Sequence, residues 1–355
     1  MRRVERMIGS GPALALTSAA LFGASTPFAK LLVGQVDPWL LAALLYLGSG
    51  IGLTLVLLAR RALAIAPAEA ALGLADAPWL AAIVLCGGIV GPVLLMIGLV
   101  RVPAGAAALM LNLEAIFTLA IAWTIFRENV DRRIALGAFA IVAGAVVLSW
   151  SPSAPLRFSP GAAAIAAACL AWGIDNNLTR KLSGADPLQI AAIKGLGAGI
   201  VNLVIALSFG AAWPSADAVA AAGLVGLLGY GVSLALFVLA LRHLGTARTG
   251  AYFSSAPFIG AALAVALLGD PVTLPFVIAA VLMAVGVWLH LTERHEHEHV
   301  HEPFVHEHAH MHDEHHRHVH AAGDPPDEPH VHVHAHARLI HRHPHYPDLH
   351  HRHGH

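Results

Sequence analysis

The sequence predicts an all-α integral membrane protein, with ten transmembrane helices in two inverted five-helix repeats and a disordered C-terminal tail. Three observations predict it. Of 355 residues, 57% are hydrophobic and only 12% are charged, about half the charge of a soluble domain. Apolar runs of about 20 residues, the length that spans hydrocarbon as a helix, recur ten times. The composition then breaks near residue 293, beyond which 23 of the 25 histidines lie. The first observation argues against a water-soluble enzyme. The formal net charge of −1, with no dominant basic patch, argues against a nucleic-acid partner.

The ten apolar segments fall at 11–32, 38–58, 79–100, 104–126, 133–150, 160–180, 188–208, 218–241, 247–268 and 273–291. Trp39, Trp79, Trp150, Trp213 and Trp288 sit near segment ends, where amphipathic rings prefer the interface. An even number of crossings leaves both termini on one side. With the N-terminus inside, Arg2, Arg3, Arg6, Arg60, Arg61, Arg127, Arg132, Arg133, Arg180, Lys181, Arg242 and Arg248 are internal. Lys30, Arg101 and Arg157 are external. The bias puts both termini in the cytoplasm of a cell whose inner membrane holds the protein. Arg2, Arg3 and Arg6 also suit the start of a signal peptide. The apolar stretch, however, runs past Pro27 and Lys30 without a small-x-small cleavage site, so an uncleaved first helix is expected.

The chain repeats itself. At an offset of 142, Leu99–Gly105 aligns with Leu241–Ala247, Arg127-Glu128 with Gly269-Asp270, Leu136-Gly137 with Ile278-Ala279, and Gly144 with Gly286. At an offset of 150, Phe22-Gly23 aligns with Trp172-Gly173 and Lys30 with Arg180. The change is absorbed in the longer loop near 59–78. The division is 1–150 for the first repeat, 151–292 for the second, and 293–355 for the tail. Five helices per half force opposite orientations. Inverted repeats of this kind place a substrate site near the midplane between the halves.

Phe22-Gly23 with Pro27-Phe28, the run Leu113-Glu114-Ala115-Ile116-Phe117, Arg127-Glu128, Gly137 and Gly144 mark the first half. Trp172-Gly173, Ala256-Pro257-Phe258, Gly269-Asp270 and Gly286 mark the second. On these residues the chain resembles the EamA-type members of the drug/metabolite transporter superfamily over about residues 11–291. It departs from the family pattern at Ala115, where proline follows the glutamate, and at Arg127-Glu128, where the family shows Gly-Glu. The resemblance implies a secondary active exporter of a small metabolite that works by alternating access. The expected partners are the lipid bilayer and a small-molecule substrate, and a homodimer is left open.

Ionisable groups at mid-helix cost about 2.5–3.5 kcal/mol to insert, so they are expected to face a cavity or a partner. Glu114, with Asn112 two residues before it, is the leading candidate for substrate binding or coupling, because a protonatable carboxylate suits proton-linked transport. A plain hydrogen bond to a neighbouring helix is the structural alternative. Asp175 and Asn176 (with Asn177) form a polar triplet that cannot face lipid throughout. Lys194 should lie at a similar depth, and an Asp175–Lys194 pair would neutralise both charges. Tyr252 and Ser255, three apart on one helical face, either line the pathway or hold helices together. Glu128 and Asp270, at helix ends, read as caps or gating links. Cys86 and Cys169 lie in apolar runs without a CxxC spacing, which reads as buried and inert. No nucleotide-binding GxxxxGK[ST] run and no nucleophile–base set is present, so neither an ATP-driven pump nor an enzyme is expected. The bundle needs no cofactor.

The tail alternates histidine with other residues at His295, His297, His299 and His301, at His306, His308, His310 and His312, and at His332, His334 and His336. Imidazole-rich tracts bind zinc, nickel or cobalt ions. Few large apolar residues predict disorder without metal. A transition-metal exporter fed by the tail, or a metal-responsive sensor that transports nothing, are the rival readings.

Overall fold

The computed structural model describes residues 11–64, 72–126, 132–149, 159–179, 182, 185–237, 239–240, 249, 252–292, 295–301, 304–310, 330–336 and 339–345. Helix meets each of the ten predicted segments. We label them α1 (Gly11–Val33), α2 (Pro38–Ala62), α3 (Leu74–Arg101), α4 (Ala104–Ile125), α5 (Arg132–Ser149), α6 (Pro160–Thr179), α7 (Pro187–Ser208), α8 (Ala216–Phe237), α9 (Ala256–Leu268) and α10 (Leu274–Leu291). Seven of these, α1 to α5 with α7 and α8, are long and apolar enough to cross a membrane. α9 and α10 are shorter apolar helices. Much of the predicted start of the ninth segment lies outside the described residues.

Local chemistry sets the helix starts. Asp37 caps α2, accepting from Trp39 N at 2.9 Å and Leu40 N at 3.2 Å. Asp186 caps α7, accepting from Leu188 N at 2.9 Å. In both, proline follows the aspartate at the first helical position, where a missing N–H costs nothing. Thr273 and Ser215 cap α10 and α8 in the same manner. Gly269 ends α9 with φ +67°, a conformation open to glycine without strain.

The helices pack between the halves of the chain. α2 packs on α7 and α5 on α10; α3 packs on α6 as α8 packs on α1, and α4 packs on α6 as α9 packs on α1. Each contact thus has a counterpart with the halves exchanged. The core gathers Leu40, Leu41, Leu45, Leu95, Met96, Leu99, Leu109, Ile165 and Cys169. Leu31, Leu55, Phe139, Val204 and Leu207 are exposed on the outside. Such an apolar exterior is costly in water and natural against lipid.

Irregular backbone recurs in matching places. α3 contains a π-helical stretch at Val84–Val90 and α8 one at Leu227–Val232. α4 breaks at Leu111–Asn112 between Ala104–Met110 and Leu113–Phe126. Before α9, a turn at Ser254–Ser255 separates Tyr252–Phe253 from Ala256 onward. Pro92 accounts for the first. It has no N–H to give Gly88 O in α-helical register or Gly87 O in π-helical register, and the Gly91 N–H reaches back to Cys86 O.

The tail, expected to be disordered without metal, adds strand to the described helices. Its described residues form four strands, β1 (His295–His301), β2 (Phe304–His310), β3 (His330–His336) and β4 (Leu339–His345). β1 pairs antiparallel with β4 and β2 with β3. The His-x-His alternation has the two-residue period of a strand, a signal that composition alone hides. The helical class therefore holds for the bundle and not for the tail.

Glycine makes the α2–α8 contact. A Cβ on Gly48 would overlap the Gly223 backbone, and one on Gly226 the Leu45 backbone, whereas one on Gly223 would meet open space. We expect Gly48→Ala and Gly226→Ala each to destabilise the protein by about 1–3 kcal/mol through overpacking. Gly223→Ala should stay within about 0.5 kcal/mol. Thermal melts of the three variants in detergent check the contrast.

Candidate functional site

The site lies where α6 meets α4 on one side and α7 with the π-helical stretch of α3 on the other. Glu114 occupies the first turn of the second α4 half-helix, Leu113–Phe126, where a carboxylate complements the helix dipole. Its Oε1 accepts from Asn176 Nδ2 at 2.8 Å. Asn176 also donates to Thr118 Oγ1 at 3.3 Å, and Thr118 in turn donates to Glu114 O at 2.8 Å. Glu114 is half-buried and Asn176 is exposed. Asn177, buried, donates to Gly173 O at 2.8 Å and also reaches α4, at Thr118 O, at 3.2 Å.

The second element of the site is the residue of α6 that precedes Asn176. Asp175 is buried, and Lys194 of α7 forms a salt bridge to its Oδ2. The pair that the sequence allowed is present. Gly87 of α3 lies against the Asp175 carboxylate, leaving no room for a Cβ. Glu114 stands in the electrostatic field of both charges. The pair neutralises itself, while Glu114 is held by an amide.

The freed carbonyls of α3 are satisfied by side chains. Gly87 O accepts from Tyr46 Oη at 2.7 Å and Trp172 Nε1 at 3.0 Å. Gly88 O accepts from Asn202 Nδ2 at 3.0 Å. Tyr46 belongs to α2, Trp172 to α6 and Asn202 to α7, so one irregular turn ties three helices together. Asn202 lies two turns beyond Lys194 on the same face of α7.

An aromatic wall adjoins this knot. Tyr46 packs against Tyr230 with the rings tilted and their centroids 5.5 Å apart, Tyr230 meets Phe22 at 6.1 Å, and Phe253 meets Phe22 at 5.4 Å and Phe237 at 4.8 Å. Tyr230 sits in the π-helical stretch of α8. Phe22 and Trp172 carried the family resemblance but were not read as site residues. Tyr46, Asn202, Tyr230, Phe237 and Phe253 were missed altogether. The available signal was Pro92 after a Gly-Gly pair in an apolar run, which announces backbone in need of donors.

The remaining predicted residues serve the breaks. Asn112 is buried and donates to Leu109 O at 2.9 Å, so it closes the α4 break and does not meet Glu114. Ser255 Oγ donates to Tyr252 O at 2.6 Å across the corresponding turn before α9. Tyr252 and Ser255 are therefore joined within one turn. Asp270 accepts from Gly105 N at 2.7 Å and so caps α4 from the other half. Lys30 donates to Val102 O at 3.0 Å and to Leu99 O, where a cation suits a helix C-terminus. Arg101 and Asp270 line an open cavity of about 280 Å³ at that end of the bundle. Glu128 and His312 lie outside the described residues. For the strand histidines His295, His297, His299, His301, His306, His308, His310, His332, His334 and His336, the backbone alone is described.

Removing one charge of the Asp175–Lys194 pair leaves the other buried and unpaired. Asp175→Asn and Lys194→Met should each cost about 3–5 kcal/mol, and the double variant should recover most of the loss. Folded yield and melting temperature in detergent give the cycle. Additive single losses would exclude the pairing.

Comparison with known proteins agrees with this architecture. The family description "EamA-like transporter family" matches the chain twice, over residues 9–150 and 159–292. An "Uncharacterized transporter" of Methanothermobacter thermautotrophicus is 29% identical over 292 residues, covering 77% of this chain and 84% of that protein. A solved crystal structure superposes with a TM-score of 0.59 at 20% identity, over 80% of this chain and 99% of that one, a likeness of fold alone. Two family segments spanning the helical region, on a bundle with an apolar exterior and buried polar knots, make the chain a multi-pass membrane transporter that belongs to the EamA-like transporter family.

Proposed function

We propose that the protein is a secondary active transporter that exports a small metabolite across the inner membrane by alternating access, with all ten helices crossing as two inverted repeats. The observation that carries this reading is the matched irregularity of the two halves. π-helical stretches in α3 and α8, and interruptions within α4 and before α9, fall at corresponding positions. Interrupted helices at equivalent places in two repeats are where transporters of inverted-repeat design gather their substrate and coupling groups. Glu114 lies beside one such break. With Asp175 neutralised by Lys194, Glu114 is the group suited to exchange a proton or to meet a substrate cation.

Exchange of the two breaks between open and closed arrangements would expose the site to one side at a time. The Asp270–Gly105 bond joins the halves at one end of the bundle and is a contact that such an exchange would have to release. By the Lys/Arg bias both termini are cytoplasmic, so the tail is a cytoplasmic appendage. We read it as a regulatory element that binds zinc, nickel or cobalt.

Cells expressing the wild-type chain, Glu114→Gln or Glu114→Asp, challenged with amino acids and toxic analogues, test the assignment through intracellular content. Glu114→Gln keeps the acceptor for Asn176 and removes the titratable group. Efflux should fall at least about 10-fold, equivalent to about 1.4 kcal/mol of barrier, with partial rescue in Glu114→Asp. Unchanged efflux by Glu114→Gln at every pH would remove its coupling role. In a separate test, protease added to right-side-out cells should leave residues beyond 293 intact and digest them only after permeabilisation.

A further inference from the structure

We propose that the tail holds two transition-metal sites, each assembled across an antiparallel ribbon rather than along a single His-x-His run. The proposal rests on the metal-binding reading of the tail and names its ligands. It adds His330, His341, His343 and His345 to the histidines of the runs that begin at 295, 306 and 332.

The register carries it. In the first ribbon His295 lies opposite His345, His297 opposite His343 and His299 opposite His341. In the second, His306 lies opposite His334, His308 opposite His332 and His310 opposite His330. All the histidines of the four strands but His301, opposite Leu339, and His336, opposite Phe304, are thus paired with histidine. Alternate residues of a strand share a face, so each ribbon gathers three histidine pairs on one face. Directly opposed positions in an antiparallel ribbon lie about 4.5–5.5 Å apart at Cβ. Two adjacent pairs make a four-position block of the size that a four-coordinate ion with metal–nitrogen bonds of about 2.0–2.1 Å requires. Imidazole donors select borderline ions such as zinc, nickel and cobalt.

Four of the six opposed pairs on the other face suit the same register, Glu296 opposite Pro344 and Glu307 opposite Val333 being the other two. Glu298 lies opposite Arg342 and Val300 opposite Ile340 in the first ribbon. Val305 lies opposite Ala335 and Ala309 opposite Val331 in the second. Opposed unlike charges and opposed apolar residues both favour the pairing. A slip of one residue would set histidine against arginine, valine or glutamate and turn each histidine set to the wrong face. An ion bound this way joins stretches far apart in sequence, and β1 starts three residues after Thr292, at the foot of α10.

Zinc titration of the full-length protein in detergent, against a competing chelator dye, tests the register. We expect about two tightly held equivalents, one per ribbon, since six histidines supply one four-ligand site. The triple variant His341→Asn, His343→Asn, His345→Asn should lose one equivalent, and adding His295→Asn, His297→Asn and His299→Asn should lose no more. The triple variant His315→Asn, His316→Asn, His318→Asn, outside the described residues, should keep both. Equal losses in the two triple variants would overturn the cross-strand sites while leaving a metal-binding tail. A full-length chain with all 23 tail histidines changed to asparagine, if it binds as much zinc as the wild type, would overturn the metal reading itself.

Discussion

A backbone carbonyl without a donor costs several kcal/mol in hydrocarbon, and the centre of this molecule is built around that constraint. Pro92 removes one donor from α3, and the π-helical register that follows shifts another. Gly87 O and Gly88 O are left facing neighbours instead of their own helix. Tyr46, Trp172 and Asn202 supply the donors. Each comes from a different helix, so a defect in one helix positions three others. The Gly87-Gly88 pair is what permits this. The same absence of a Cβ that frees the backbone turn lets the Asp175 carboxylate lie directly against Gly87.

The same constraint is met differently in the second half. The π-helical stretch of α8 contains no proline, and its neighbours are small. Ser18 and Ser233 exchange hydrogen bonds reciprocally, Ser18 Oγ giving to Ser233 O at 2.7 Å and Ser233 Oγ to Ser18 O at 2.9 Å. At the breaks, Asn112 and Ser255 each return a side-chain donor to a carbonyl three residues back. The two halves thus share the irregularity and differ in the residues that satisfy it. Glu114 lies near the break of the first half; the aromatic rings Tyr230, Phe237 and Phe253 lie near the irregular stretches of the second.

Much of the bundle was legible in the sequence because its signals are periodic or compositional. Apolar length marked the helices. The Asp175–Lys194 pair was legible because two opposite charges at equal depth in adjacent apolar segments have few other ways to be tolerated. The roles of Asn112 and Ser255 were less so, because a polar residue beside a helix break serves the backbone as readily as it serves a ligand. Tyr46 and Asn202 escaped notice for a physical reason. Their value depends on carbonyls freed elsewhere in the chain, a long-range debt that no local window displays. In the tail the two signals diverge, because low complexity points to disorder while the His-x-His alternation carries the two-residue period of a strand.

Charge economy separates structure from function at the core. A buried ion pair contributes little net stability but fixes geometry once both members are present. Lys194 holds Asp175, Asp175 bears on Gly87, and the π-helical turn stays in register with α6 and α7. Asn176, the next residue on α6, then reaches Glu114 in α4. Its amide can donate to the carboxylate whether or not the acid carries its proton, so the contact survives a change of charge. An arginine or lysine in its place would lock Glu114 in the ionised form. A neutral donor on a half-buried acid, braced by a self-neutralised pair one residue away, leaves the one charge free to change where the helices are already interrupted.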